Sequence, residues 1–234
     1  GNKLIERLKD VAGEMLGGNP GEIKLREEKV FRNGSPTDIT WEKLVREAFL
    51  RRVPLTENGH YTTPVIYFDK SKEKGHPFAY HVYGTAVITV LLDCLRGTYK
   101  IEKVLIVHDF GNSFNPAIDR GQLEGGVMQG IGWMTMEEVL FNSEGKMLTD
   151  SLSTYKVPDI YSAPEILEYR ALETEGPEPA LLKSKAIGEP PFMYGIGAYF
   201  ALHNAIRSFN PSWKPDFDAP MTPEKVLMRL YDKK

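Results

Sequence analysis

The sequence predicts an α+β fold in which a mixed, mostly antiparallel sheet is flanked by helices. Long runs of β-branched residues occupy much of the first half of the chain, and helical periodicity dominates much of the second half. The chain has 234 residues, 41% of them hydrophobic and 26% charged, which suits one or two closely packed units. These patterns do not determine the order of the strands.

The first fifty residues predict two helices around a short hairpin. Apolar residues recur on one stripe over Lys3–Leu16, which predicts an amphipathic helix. After a glycine- and proline-rich breaker, Glu22–Phe31 is typical of a hairpin closing at Asn33-Gly34. Thr40 is placed to cap a second helix over Trp41–Arg51.

The middle of the chain predicts most of the sheet. Three strand candidates follow one another, Tyr61–Asp69, Ala79–Cys94 and Lys100–Asp109. The second and third are joined through Arg96-Gly97, so we expect them to form an antiparallel hairpin. A further strand is predicted within Tyr161–Glu173.

A helical pattern from Pro116 to about Val139 contains an unusual number of interior glycines. Each costs about 0.5 to 1 kcal/mol relative to alanine, so close approach by another backbone or by a bulky ligand is needed to explain them. Gln122 and Gln129 lie two turns apart and could present amides to such a ligand. The alternative is a buried helix packed tightly against a sheet. The glycines in question are Gly125, Gly126, Gly130 and Gly132.

Glu189 stands in the sequence Gly188-Glu-Pro-Pro, before a helical stretch over Phe192–Phe209. Gly188 permits an unusual backbone angle, and Pro190 disfavours helical dihedrals at Glu189 itself. We therefore expect the carboxylate on a stiff corner near a helix N-terminus, where the helix dipole favours its charged form and burial the neutral one. The alternative is an N-capping glutamate in a surface turn. A last helix is predicted over Pro223–Tyr231, capped by Thr222.

Composition excludes several classes of function. The formal net charge of -3 implies neither nucleic acid nor an anionic membrane as a partner, and the longest apolar runs fall far short of the roughly 20 residues that span a bilayer. A single cysteine, Cys94, allows no internal disulfide, iron–sulfur cluster or structural zinc, and we expect a cytoplasmic, reducing location. The five histidines show no metal-ligand spacing, so no metal ligand is assigned, and His76 and His108 receive no role.

Seven segments, in order and over nearly the whole chain from about Glu57 to Asn210, carry a family resemblance. Together they resemble the C-terminal portion of xanthine dehydrogenase and its molybdenum hydroxylase relatives, which implies the second half of a molybdopterin-binding domain. The segments are Tyr61-Thr-Thr-Pro, Tyr83-Gly, Asp93-Cys-Leu-Arg-Gly-Thr, Asn115-Pro-Ala-Ile-Asp, Gly121-Gln-Leu-Glu-Gly-Gly-Val-Met-Gln-Gly-Ile-Gly, Ser153-Thr-Tyr-Lys-Val-Pro and Ser184-Lys-Ala-Ile-Gly-Glu-Pro-Pro.

The resemblance implies roles for three residues. Glu189 matches the glutamate that serves this family as the active-site base. Gln122 matches a glutamine that hydrogen-bonds near the molybdenum oxo group. Lys185 is a candidate for a contact to the cofactor or to the residues that support it, and an exposed surface lysine is the alternative.

The resemblance also implies what this chain lacks. The family binds its pterin mostly through upstream loops that do not occur here, so we expect residues 1–234 to be one domain, a fragment or a split subunit, with residues 1–20 a helix continuing from a missing upstream part. The molybdenum–molybdopterin cofactor would be shared with that part, and partner chains or domains would carry iron–sulfur clusters and FAD. Alone, the chain is expected to be inactive.

The reaction that the resemblance implies is oxidative hydroxylation of a small molecule, a purine or another N-heteroaromatic compound, with water as the oxygen source. Two alternatives remain open at this point. One is an aldehyde oxidoreductase of the same family. The other is a non-catalytic assembly domain that retains the fold.

Overall fold

The first part of the chain, Gly1–Thr62, folds around its own apolar core. In the computed structural model, which describes residues 1–232, it contains two helices, a three-stranded antiparallel meander and a 3₁₀ turn at Pro20–Glu22. These elements are α1 (Asn2–Met15), β1 (Ile23–Arg26), β2 (Lys29–Arg32), β3 (Ser35–Thr40) and α2 (Trp41–Leu50). Buried residues from every one of them form the core: Leu8, Val11, Ala12, Ile23, Val30, Ile39, Leu44 and Ala48. The Thr40 hydroxyl caps α2, as predicted, by accepting the Lys43 N–H.

The predicted hairpin in this unit closes at a different place. The β1–β2 turn lies at Glu27 and Glu28, which both adopt positive φ, at 49° and 58°. Asn33-Gly34 instead joins β2 to β3. The prediction was wrong because glutamates rarely take up the left-handed dihedrals of a tight turn, whereas Asn-Gly is the usual signal for one.

The second unit begins at Thr63 and contains the main sheet. A short hairpin of β4 (Tyr67–Asp69) and β5 (Lys74–His76) comes first. The main sheet then has β6 (Gly84–Leu92) antiparallel to β7 (Tyr99–His108), and β8 (Ile166–Ala171) parallel to β7 on its other side. This confirms the α+β class with a mixed, mostly antiparallel sheet. The predicted strand over Tyr61–Asp69 was too long, since only its last three residues pair.

Besides two short 3₁₀ turns at Ile160–Ser162 and Leu181–Lys183, three helices and one longer 3₁₀ segment complete the second unit. They are α3 (Pro116–Thr135), the 3₁₀ segment Pro190–Ile196, α4 (Gly197–Phe209) and α5 (Pro223–Leu230). One face of the sheet packs on α3, with Val104 and Ile106 against Leu123 and Val127. A second core lies between α4 and α5. Within residues 1–232, no helix combines the length and the apolar character that crossing a bilayer requires.

The glycines of α3 are explained mainly by a neighbouring backbone. A Cβ on Gly126 would lie 2.6 Å from the carbonyl oxygen of Gly188, and one on Gly130 would overlap the carbonyl oxygen of Phe192. The expected close approach is therefore real at these two positions, and the partner is the chain around Glu189. Gly125 is different, because a Cβ there would meet no atom within 4 Å.

Candidate active site

A cavity of about 760 Å³ lies between one face of α3 and the chain that leads into the 3₁₀ segment. Gln122, Gly125 and Gln129 line it from α3, where their spacing places them on one side of the helix. Gly188 and Glu189 line it from the other side. The structure thus brings two of the three predicted site residues, Gln122 and Glu189, to one cavity.

Glu189 occupies the position just before the 3₁₀ segment, and its side chain is exposed. The expectation that Pro190 would exclude helical dihedrals here was wrong, because Glu189 has φ -76° and ψ -44°. This geometry allows the Glu189 carbonyl to accept the Phe192 N–H at 3.1 Å, which offsets the steric cost of a helical residue before proline.

The carboxylate of Glu189 does not cap the segment it precedes. A cap would need the N–H of the second or third residue, but Pro191 has none and that of Phe192 is already bonded to the Glu189 carbonyl. The surface-capping alternative is therefore not what the structure contains. The carboxylate is left to face the cavity and the solvent.

Gln122 lies against the backbone next to Glu189. Its Oε1 atom is 2.9 Å from the place that a Cβ would occupy on Gly188. Gly188 does not use the left-handed dihedrals that the sequence suggested. Its role is steric, since the absence of a side chain lets the amide of Gln122 approach the residue before Glu189.

Lys185 lies apart from the cavity and is neither exposed nor among the residues that line it. Its Nζ donates to Oδ2 of Asp109 at 2.5 Å, with side chains only 9% and 2% exposed. The ammonium also lies 5.7 Å from the centre of the Tyr83 ring. The structure thus places Lys185 in a buried ion pair four residues before Glu189.

The carboxylate of Asp109, a residue that the sequence did not single out, accepts hydrogen bonds from three donors. Besides Lys185, its carboxylate accepts the Thr174 hydroxyl at 2.5 Å and the Gly111 N–H at 3.1 Å. Burial alone would raise the pKa of Asp109, but these three hydrogen bonds and the charge of Lys185 outweigh it and hold the pKa below its ordinary value. Asp109 is therefore a charged group built into the protein interior.

His108, immediately before Asp109, is also fully buried at the end of β7. Its Nδ1 and the hydroxyl of Tyr194, in the 3₁₀ segment, share a hydrogen bond of 2.7 Å. Its Nε2 has no hydrogen-bond partner among residues 1–232. Burial lowers the pKa of His108, opposed by the charges of Asp109 and Asp119. A signal for this pair was present in the sequence, because His108 ends a buried strand and Asp109 directly follows it.

A larger cavity, of about 1260 Å³, lies near the end of the chain but offers little chemistry. Two of the three cations that line it are already paired: Lys225 with Glu138 and Asp218, and Arg229 with Asp216 and Asp218. None of Gln122, Lys185 and Glu189 lines it. We therefore take the cavity beside Glu189 as the candidate active site.

The lining of that cavity fits a bulky, polar ligand. Gly121 and Gly125 leave open space where side chains would stand, and Gln122 and Gln129 add two amides that can each donate and accept hydrogen bonds. No group of three or more His, Cys, Asp or Glu side chains in the described part of the chain could hold a metal ion directly.

A model of the family described as molybdopterin cofactor-binding domain matches residues 1–164. The chain belongs to this family. A molybdopterin is an organic ligand that carries its own metal, which agrees with a cavity lined by amides and glycines. Gln122 lies within the matched residues, whereas Lys185 and Glu189 lie beyond them.

Relatives extend the similarity past that limit. Xanthine dehydrogenase/oxidase of Felis catus is 38% identical over 215 residues, which cover 89% of this chain and 16% of that protein. Aldehyde oxidase 1 of Oryctolagus cuniculus is 35% identical over 200 residues, or 83% of this chain and 15% of that protein. The chain thus spans about one sixth of the length of these relatives.

Solved structures share the fold. Quinoline 2-oxidoreductase from Pseudomonas putida 86 superposes with a TM-score of 0.66 at 23% identity, covering 100% of this chain and 29% of that one. The aldehyde oxidoreductase from Desulfovibrio desulfuricans gives a TM-score of 0.63 at 22% identity, covering 97% of this chain and 27% of that one. The resemblance inferred from the seven segments is therefore confirmed at the level of family and fold.

Proposed function

We propose that this chain is a component of a molybdenum hydroxylase that resembles xanthine dehydrogenase, with Glu189 as its general base. The reaction would be the oxidative hydroxylation of a purine or another N-heteroaromatic compound, with water as the source of oxygen. The observation that carries the proposal is that Glu189 and Gln122, which are 67 residues apart in the chain, line the same cavity.

The residues of this chain would do three things. Gln122 and Gln129 would hold the cofactor through their amides, and Gly121 and Gly125 would let it approach the helix closely. When bound, the molybdenum cofactor supplies the two-electron redox chemistry of the hydroxylation. A carboxylate oxygen of Glu189 would take up the proton released as oxygen from water is added to the electron-poor carbon.

Glu189 suits this task because its carboxylate is placed by backbone and not by its own hydrogen bonds. The 3₁₀ turn and the two prolines fix the Cα, while the side chain has no capping bond to break before it accepts a proton. A cofactor and substrate seated in the cavity would shield it from water, which strengthens its interaction with a developing positive charge.

The remaining parts of such an enzyme would lie outside this chain. We propose that an upstream part of the molybdenum-binding subunit completes the grip on the pterin, and that partner chains or domains carry iron–sulfur clusters and FAD. Cys94 is the only cysteine in the sequence and its side chain is half-buried, so this chain cannot hold a cluster itself. We propose a reducing, cytoplasmic location on the same cysteine usage.

An aldehyde substrate is the second candidate. It is favoured by the nearly equal identity to aldehyde oxidase 1, 35% against 38% for xanthine dehydrogenase/oxidase. Turnover of hypoxanthine and of benzaldehyde by the assembled enzyme separates the two, because a purine hydroxylase prefers the first by kcat/KM and an aldehyde oxidoreductase the second.

The proposal is tested by Glu189→Gln in the assembled, cofactor-loaded enzyme. We expect turnover to fall by at least ~10²-fold, the lower end of general-base effects, while molybdenum content stays at the level of the unmodified enzyme. Glu144→Gln, at an exposed glutamate in the turn after residue 141, is the matched control and should retain full turnover. Near-normal turnover in Glu189→Gln would refute the role, and an assembled complex without molybdenum would favour a non-catalytic assembly domain.

A further inference from the structure

The end of β7 holds the chain around Glu189 on both sides. Asp109 binds Lys185, four residues before Glu189, and His108 binds Tyr194, five residues after it. We call residues 185–194 the Glu189 segment. Two consecutive residues at the end of one strand therefore contact both ends of the segment that bears the proposed base.

The first of these contacts is supported by the backbone. The Lys185 N–H donates to the carbonyl of Phe110 at 3.0 Å, and Gly111 forms an antiparallel bridge with Ser184. The Asp109 carboxylate lies within this arrangement with three donors and almost no exposure. A buried ion pair of this kind adds little net stability, because desolvation of both charges cancels much of their attraction. Its more evident effect is to fix where Lys185 lies.

The second contact occupies a prepared space. Gly84 on β6 is paired with His108 on β7, and a Cβ on Gly84 would overlap the Tyr194 hydroxyl. The hydroxyl therefore lies in a notch that exists only because β6 has no side chain there. The ring of His108 packs edge-on against two aromatic rings, with centroid distances of 4.4 Å to Phe110 and 5.7 Å to Tyr194. These two contacts restrict rotation of the His108 ring.

We propose that His108 and Asp109 are positioning residues for the Glu189 carboxylate, acting through Tyr194 and Lys185 at the two ends of the Glu189 segment. The inference rests on the proposed function of Glu189. Neither residue would touch the substrate or the cofactor, since neither lines the cavity. Glu189 makes no capping bond of its own, so its carboxylate is placed by the backbone of the segment, which packs on α3 in its middle and is held by Asp109 and His108 at its ends.

Two variants of the full chain test the contacts, each with a matched control. Tyr194→Phe removes only the hydroxyl that binds His108, and Tyr99→Phe removes a buried hydroxyl at the other end of β7. Lys185→Met removes the ammonium that binds Asp109, and Lys183→Met removes an exposed one that is paired with Glu175. Tyr99 and Lys183 contribute nothing to the cavity lining.

The first readout is amide hydrogen exchange of the Glu189 segment, measured by mass spectrometry on protein without substrate. Tyr194→Phe should speed exchange in this segment about fivefold, the equilibrium factor that one ordinary hydrogen bond is worth. Lys185→Met should speed it by more, because it leaves the buried carboxylate of Asp109 without its counter-charge. Exchange in the controls should match that of the unmodified chain. If neither test variant differs from its control, the inference is wrong.

The second readout is the pH profile of kcat/KM in the assembled enzyme. A loosened Glu189 should move the acid limb of the profile, whereas a merely structural defect lowers the amplitude and leaves the limb in place. Faster exchange with an unmoved limb would therefore also overturn the positioning role. Near-normal turnover in Glu189→Gln would instead refute the proposed function alone, because hydrogen exchange does not depend on what Glu189 does.

Discussion

Gln122 and Gly188 are in direct contact beside the candidate active site, with Oε1 of Gln122 2.9 Å from the position of a Cβ on Gly188. A real Cβ would not tolerate this distance. Gln122 lies in α3, and Gly188 directly precedes Glu189. Their contact therefore couples the proposed cofactor-binding amide to the proposed base.

Gly188→Ala should displace Gln122 without unfolding the protein. The added methyl group meets only the end of a flexible side chain, and Gly188 has no left-handed dihedral that alanine would strain. We expect a melting temperature close to that of the unmodified protein and a loss of molybdenum content or turnover similar to that of Gln122→Ala. The double variant should be no worse than either single variant, because both remove the same contact. Additive losses would contradict this reading.

Gly125→Ala should stabilise the chain and weaken cofactor binding. Its Cβ would enter open space on the exposed face of α3, so the ordinary helix preference of about 0.5 to 1 kcal/mol for alanine should appear in the free energy of unfolding. The same methyl group would stand in the cavity and lower the molybdenum content of the assembled enzyme. An unchanged molybdenum content would show that the ligand does not approach this face.

Gly130→Ala is the contrasting substitution on the same helix. Its Cβ would overlap the Phe192 carbonyl oxygen and lie 3.0 Å from the Gly195 Cα, so backbone must move. We expect a loss of about 1–3 kcal/mol in the free energy of unfolding, the usual cost of overpacking. Chemical denaturation of the two alanine variants side by side checks the opposite signs, and a stabilised Gly130→Ala would refute the close packing of α3 on the 3₁₀ segment.

Sequence patterns predicted most of the elements but not their contacts. The β-branched runs of β6 and β7 and the caps at Thr40 and Thr222 could be predicted because each depends on residues close together in the chain. The turn at Glu27 was not, since its dihedrals go against the preference of its residues. Local signals are reliable where propensity and tertiary structure agree.

The candidate site shows the same division. Gln122 and Glu189 were identified from their motifs, and the structure places both at one cavity. Asp109 and His108 were not identified as site residues: their place at the end of a buried strand was a local signal, but the partner that makes Asp109 a buried ion pair lies 76 residues away in the chain. The exposed-surface alternative for Lys185 was wrong, since its side chain is 9% exposed in an ion pair with Asp109, and a contact to the cofactor or to the residues that support it stays a prediction.

The Asp109–Lys185 pair should show strong coupling in a double-mutant cycle. Asp109→Asn alone leaves a buried ammonium without its counter-charge, and Lys185→Met alone leaves a buried carboxylate, so each should cost about 3–5 kcal/mol in the free energy of unfolding. The double variant removes both charges and should cost less than the sum of the two. The same cycle at the exposed pair of Lys183 and Glu175 should give a coupling of at most about 1 kcal/mol. Equal coupling at both pairs would contradict the burial of Asp109.

The protein should lose stability on mild acidification through its buried histidines. His203 is 9% exposed between the rings of Tyr199 and Trp213, and its Nε2 has no hydrogen-bond partner within the described residues. Burial, then the charge of Arg229, lowers its pKa below the ordinary 6.5, against the opposing charge of Asp216.

The sign of this effect follows from proton uptake. Between the folded pKa and about 6.5, the unfolded chain binds a proton that the folded chain rejects. The contribution of His203 to the free energy of unfolding is therefore complete above about pH 6.5 and declines as the pH falls toward the folded pKa, by at most about 1.4 kcal/mol per pH unit.

Urea denaturation of His203→Gln between pH 7.5 and 5 should show a shallower decline in the free energy of unfolding than the unmodified protein. Some decline should remain, because the buried His108 also has a lowered pKa. The control is His76→Gln, at an exposed histidine, which should follow the unmodified protein. If His203→Gln loses stability as steeply as the unmodified protein, the His203 ring can take up a proton without leaving the core.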